Sequence, residues 1–113
     1  MQKITTKKPW GQFEEFTHNE KTTIKILTIE PNSSLSLQYH NKRDEFWRVL
    51  NGHLILTIGN KTTNANSGDE FMILKKEKHR IETKDEVSQV LEISFHDFDE
   101  EDIIRLNDKY GRS

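Results

Sequence analysis

The run Leu35-Ser36-Leu37-Gln38-Tyr39-His40, then the polar link Asn41-Lys42-Arg43-Asp44, then Glu45-Phe46-Trp47-Arg48-Val49-Leu50-Asn51-Gly52, decides how this chain is read. Residues 35–40 alternate as a half-buried strand does, with Leu35, Leu37 and Tyr39 on one face and Ser36, Gln38 and His40 on the other. The link turns the chain, and residues 46–50 form a further apolar strand. Asn51-Gly52 is a hairpin signal, because both residues tolerate positive φ, so residues 53–58 are expected to return antiparallel.

The same pattern extends outward. Residues 23–30 mix alternation with β-branched residues, and Pro31-Asn32-Ser33-Ser34 turns the chain into the deciding run. Gly59-Asn60 and Gly68-Asp69 mark further turns, and strands are predicted at residues 70–74, 79–83 and 88–95. Only the C-terminal end reads as helical. Asp99 is placed to cap it, Glu100, Glu101 and Asp102 suit its first turn, and Ile103, Leu106 and Tyr110 make an apolar stripe. Many short strands with turns between them imply an all-β sandwich or barrel, here with one short helix outside. Trp10, Phe13, Phe16, Trp47, Phe71, Phe95 and Phe98 are expected to fill the core and cover the barrel ends.

A chain of 113 residues suits one domain, 1–113, and not two. The net charge of -2 lacks the basic excess of a protein that grips nucleic acid by its phosphates. No apolar run is long enough to span a bilayer and the first residues lack a signal-peptide core, so a cytoplasmic protein is expected. There are no cysteines, so a metal site here would draw on histidine, carboxylate and amide groups.

Such groups are present. Gln38 and His40 share a strand face, Glu45 follows at the start of the next strand, and His79 comes from a separate hairpin. Antiparallel pairing can gather all four at one point inside a barrel. Two imidazoles, a carboxylate and an amide oxygen suit a divalent ion, zinc foremost, with manganese, iron, cobalt and nickel also matching the donor set. Four protein ligands leave coordination positions open, as a Lewis-acid site requires.

The spacing resembles that of the cupin superfamily. Residues 32–52 resemble its first motif, G-x5-H-x-H-x4-E-x6-G, with Asn32 at the first glycine, Gln38 at the first histidine, and His40, Glu45 and Gly52 matching. Residues 68–83 resemble the second, G-x5-P-x-G-x2-H-x3-N, with Gly68 and His79 matching, and with Leu74, Lys76 and Thr83 in place of proline, glycine and asparagine. The resemblance implies a cupin barrel, that is, a double-stranded β-helix or jelly roll. Within the cupins, residues 35–40 with Arg43, Glu45, Trp47, Val49 and Gly52 resemble the type II phosphomannose isomerases. So do Lys8-Pro9-Trp10-Gly11, His79-Arg80-Ile81-Glu82 and a C-terminal set of Ile103, Arg105, Asp108 and Tyr110-Gly111-Arg112. His96-Asp97 stands where that pattern leads one to expect a glycine-containing pair.

This resemblance implies metal-dependent interconversion of mannose 6-phosphate and fructose 6-phosphate. A base must move a proton between two carbons. Glu82 and Glu92 are the candidates, with His18 weaker, and Arg43 beside the presumed mouth is a further catalytic candidate. The phosphate calls for cations, and Arg43, Arg80 and Arg112 are the candidates. In that family the domain often follows a sugar nucleotidyltransferase. No Gly-rich nucleotide loop stands at this N-terminus, so guanylyl transfer is not expected of this chain by itself. Two alternatives are an isomerase for another sugar, and a non-catalytic sugar- or metabolite-binding module that partners a separate nucleotidyltransferase. A homodimer is expected, because an open sheet edge invites pairing.

Overall fold

Short β-branched runs separated by Gly, Asn and Asp turns leave the backbone one way to satisfy its hydrogen bonds, which is to pair between strands. A computed structural model describes residues 2–108, 110 and 111, and among these there are eleven strands and no helix. They are β1 (Ile4–Lys8), β2 (Gly11–Glu15), β3 (Thr22–Ile29), β4 (Leu37–Tyr39), β5 (Glu45–Asn51), β6 (His53–Ile58), β7 (Lys61–Asn66), β8 (Glu70–Ile73), β9 (His79–Thr83), β10 (Ser88–Phe95) and β11 (Ile104–Asn107). One sheet has the order β3-β10-β5-β8, the other β11-β4-β9-β6-β7, and β1-β2 is a separate hairpin. Every pairing is antiparallel. From β3 onward the chain passes repeatedly between the two sheets, as the expected jelly roll does.

The core lies between the sheets. Trp47, Val49, Leu54, Leu56, Ile73, Ile81 and Val90 are almost wholly buried there. A smaller cluster of Phe46, Ile93 and Phe95 is covered by Phe16 and Met72. Trp10 and Phe13 do not join either cluster. Both lie exposed on the β1-β2 hairpin, which the sequence reading did not resolve as strands. The hairpin is held instead by charge, with Lys3 bonded to Glu14 and Glu70, and Arg48 to Glu70.

Two expectations are corrected. Asn51-Gly52 is not a hairpin turn, since β5 pairs with β10 and β8 while β6 pairs with β7 and β9. It is the corner where the chain leaves one sheet for the other, and Gly52 turns it with φ of 76°. A two-residue hairpin forms instead at Gly59-Asn60, between the paired Ile58 and Lys61. The C-terminal helix is also absent. Asp99 does cap, accepting from the Glu101 amide and bonding through its carbonyl to the Asp102 amide, but only one turn forms. Asp102 is then drawn onto the loop after β4, and residues 104–107 pair with β4 as an added strand. The open edge of β4 outweighs a local helical pattern, because tertiary pairing there satisfies backbone groups on both strands.

The departures from glycine in the sequence motifs keep their backbone conformation. Asn32, Lys76 and His96 have φ of 54°, 65° and 69°. A non-glycine residue in this region costs about 1–2 kcal/mol, against about 0.4–1 kcal/mol for the added unfolded-state freedom of glycine. Lys76→Gly is therefore expected to raise stability by roughly 0.5–1 kcal/mol, seen as a higher urea midpoint at unchanged slope.

Candidate metal centre

Three strand ends converge at one end of the barrel. His40 immediately follows β4, Glu45 opens β5 and His79 opens β9, where its pairing partner is Gln38. The side chains of His40, Glu45 and His79 are 4%, 1% and 1% exposed, and one ligand atom from each lies within 4.8 Å of the others. Burial of three ionisable groups, His79 against the Trp47 ring, demands compensation.

The proton positions follow from backbone carbonyls. His40 Nδ1 lies 2.6 Å from the Asp102 carbonyl, and His79 Nδ1 lies 2.9 Å from the Glu77 carbonyl. A carbonyl only accepts, so each Nδ1 carries the hydrogen and each Nε2 presents a lone pair. These Nε2 atoms face the same oxygen, Glu45 Oε1, at 3.7 and 3.9 Å. The other oxygen, Oε2, accepts from Arg43 Nε at 3.0 Å and from the Ser94 hydroxyl at 3.3 Å. Glu45 Oε1 and His79 Nε2 are buried with no hydrogen-bond partner.

Acceptors that meet without a proton between them fit a cation, and the surrounding bonds are the kind that orient metal ligands. Burial holds the His79 imidazole below its ordinary pKa, partly offset by the Glu77 carbonyl and Glu45. This favours the neutral form that binds metal. Gln38 lines the same cavity as His40, and its amide oxygen accepts from the Ser36 hydroxyl at 2.9 Å. The donor set fits the divalent ions named above.

The cavity has a volume of about 180 Å³. Arg43 sits in its wall, 7% exposed, and also donates to the Asp99 carbonyl at 3.1 Å while packing on the Phe98 ring at 4.5 Å. Glu92 projects into the cavity from β10, 8% exposed. Burial first, then the charge of Glu45, pushes its carboxyl up to about 7, against the opposing pull of Lys25 and Arg43. Glu92 thus holds a proton in the folded protein where an unfolded glutamate has lost it. Stability from this group is complete below the ordinary carboxyl pKa and is lost as pH rises toward 7. At about 1.4 kcal/mol per unit the loss is on the order of 3 kcal/mol. Urea titration of metal-free protein is expected to show this decline with pH, and Glu92→Gln to flatten it.

The other candidates lie elsewhere. Glu82 and Arg80 alternate on β9 with buried His79, Ile81 and Thr83, so they project from the opposite face and are not brought to the cluster. His18 pairs with Glu15 at the surface. Arg112 lies outside the described residues.

Several residues in and around the cavity were not assigned this place from the sequence. Asp102, taken for a helix acid, anchors the loop: its carboxylate accepts from the Asn41 and Lys42 amides at 2.9 and 3.0 Å. Burial raises its pKa, but those two amides outweigh it and hold the carboxyl below its ordinary value. Lys25, Phe98 and Arg105 also line the cavity. The signal for Lys25 was its place on the inward face of β3, with Leu27 and Ile29, while Ile24 and Ile26 face out.

Among solved structures, oxalate decarboxylase from Bacillus subtilis superposes with a TM-score of 0.71 at 19% identity, over 77% of this chain and 24% of that one. Jelly-roll topology with a buried His/Glu cluster at one barrel end defines this protein as a cupin. A family model for the mannose-6-phosphate isomerase C-terminal domain matches residues 1–108, and the chain belongs to that family. Mannose-1-phosphate guanylyltransferase 2 of Escherichia coli O157:H7 is 30% identical over 105 residues, covering 91% of this chain and 22% of that protein. The alginate biosynthesis protein AlgA of Pseudomonas aeruginosa is 30% identical over 108 residues, covering 94% and 22%. The chain thus spans about a fifth of the length of these relatives.

Proposed function

We propose that this protein is a metal-dependent aldose–ketose isomerase acting on mannose 6-phosphate and fructose 6-phosphate. The observation that carries this reading is the convergence of His40 Nε2, His79 Nε2 and Glu45 Oε1, with Glu92 beside them in one cavity. Gln38, His40, Glu45 and His79 would hold the ion. When bound, the metal supplies polarisation of a carbonyl oxygen and stabilises negative charge on it.

The protein's own groups supply the rest. Isomerisation removes a proton from one of two adjacent carbons and returns it to the other. Glu92 is our candidate to carry it, because it projects into the same cavity and burial raises its carboxyl above the ordinary value. Glu45 is held by Arg43 and Ser94 and serves as ligand rather than base. Arg43 balances the charge of Glu45 and stiffens the wall through Asp99 and Phe98. The apolar side chains of Leu27, Leu35 and Ile103 on the cavity limit water around the reacting carbons.

A second reading is favoured by the relatives named as guanylyltransferases, of which the matched region is about a fifth. It makes the chain a sugar-binding module that works beside a nucleotidyltransferase. Turnover of mannose 6-phosphate by protein stripped of metal, then given zinc, manganese or cobalt, separates the two. Metal-dependent formation of fructose 6-phosphate, reduced by two or more orders of magnitude in Glu92→Gln, is the expected result. Folded, metal-loaded protein that binds the sugar and never converts it would support the module.

A further inference from the structure

Two cations that neither the metal cluster nor the proton transfer uses stand at the open side of the cavity. Lys25 on β3 is the direct pairing partner of Glu92, and Arg105 on β11 is the direct partner of Gln38. Directly paired residues of antiparallel strands project to the same face. One row across the first sheet therefore runs Lys25, Glu92, Trp47, and one row across the second runs Arg105, Gln38, His79. The two sheets contribute both rows to one barrel interior, and Lys25, Glu92, Gln38 and Arg105 line one cavity. The cations are each one strand outward from a group of the metal end, a spacing of about 5 Å.

Lys25 has a partner of a telling kind. Its ammonium lies 4.0 Å from the centre of the Phe98 ring and 3.4 Å from Glu100 Oε2. The Glu100 side chain is 80% exposed and comes from the loop that crosses the cavity. A long ion pair to a solvated carboxylate is weak and readily exchanged for another anion. The Phe98 ring holds the Lys25 ammonium in place while that exchange occurs. Arg105 offers a planar guanidinium, whose geometry suits phosphate oxygens.

We propose that Lys25 and Arg105 form the subsite for the phosphate of the substrate, and that Glu100 occupies the place of that phosphate until a ligand displaces it. The proposal rests on the phosphosugar reading above and deepens it. It replaces the outward-facing Arg80 as a phosphate residue and leaves Arg43 to Glu45. The substrate class is then a sugar with its carbonyl and its phosphate at opposite ends, so that one end reaches the metal cluster and the other the barrel rim.

The test is calorimetric titration of the manganese-loaded full chain with fructose 6-phosphate, with fructose and with inorganic phosphate. Charge-assisted bonds of this kind imply that Lys25→Gln and Arg105→Gln each weaken fructose 6-phosphate by tenfold or more, with fructose and manganese affinities unchanged. Glu100→Gln is expected to tighten fructose 6-phosphate and inorganic phosphate, a gain that a damaged fold cannot mimic. Where native protein turns over substrate, KM rises in the lysine and arginine variants more than kcat falls. Unchanged phosphosugar affinity in both variants, or an equal loss for fructose, overturns the subsite even if isomerisation is observed. Phosphate bound through Lys25 and Arg105 without isomerisation upholds the subsite and removes the isomerase reading.

Discussion

His79→Ala is expected to lose the metal, and with it the isomerase activity proposed above. Substitution of residues that merely orient metal ligands costs about 10–100-fold in affinity, so removal of a ligand is expected to exceed about a hundredfold. The reason lies in the geometry. His79 Nε2 is one of two imidazole atoms aimed at Glu45 Oε1, so its removal takes away half of the nitrogen donors of the cluster. The readout does not need turnover. A metal at a hundred times its dissociation constant adds about 2.7 kcal/mol to the folded state. Native protein should gain that on addition of zinc or manganese, and His79→Ala should gain next to nothing. His40→Ala is expected to behave alike. Full metal-induced stabilisation of both variants would show that the cluster is not the binding site.

Gly52→Ala is expected to carry the largest stability loss of a Gly→Ala change at any of the five glycines. A Cβ at Gly52 would lie 2.2 Å from the Ser88 hydroxyl oxygen, 2.8 Å from the Ser88 Cβ and 2.8 Å from the Val87 carbonyl oxygen. The positive φ of 76° adds its own cost. Ser88 is completely buried and its hydroxyl donates to the His53 carbonyl, so it has little room to move. Overpacking and left-handed strain together come to about 3 kcal/mol or more. For a domain of this size that is a fall in Tm on the order of 10–20 °C. Gly68→Ala is the matched control. Its φ is 92°, but nothing lies within 4 Å of an added Cβ, so only the backbone cost remains. Gly52→Ala/Ser88→Gly should recover part of the loss, because two of the three close contacts disappear. Equal Tm shifts for Gly52→Ala and Gly68→Ala would mean that the corner is not close-packed.

Both predictions start from residues visible in the primary structure. The alternation of residues 35–40 placed Gln38 and His40 together on one inward face, and the distance to Glu45 set it at the next strand. Period-two patterning suffices for this, because it is local and each strand reports its own buried face. The glycine-like positions were legible through the resemblance to the family motifs. Asn32, Lys76 and His96 stand where the motifs lead one to expect glycine, and each adopts positive φ, since a corner constrains the backbone whichever side chain it carries.

What lay beyond the sequence was which strand meets which. Asn51-Gly52 reads as a hairpin in isolation, yet the chain crosses to the other sheet there, because β5 gains two partners in its own sheet. Residues 99–110 carry a complete local signal for a helix, yet residues 104–107 join β4, whose edge offered backbone groups that only a strand satisfies. Trp10 and Phe13 are apolar enough for any core, but their hairpin forms a sheet of its own and leaves them exposed. Sequence alone determined the all-β character, through short-range sterics and alternation, and its motifs marked the candidate ligand types at the barrel end and the special corner positions. Tertiary pairing alone decided that Glu92 rather than Glu82 reaches the cavity, and that Lys25 and Arg105 line it too, because the register between strands distant in sequence selects which side chains share an enclosed space.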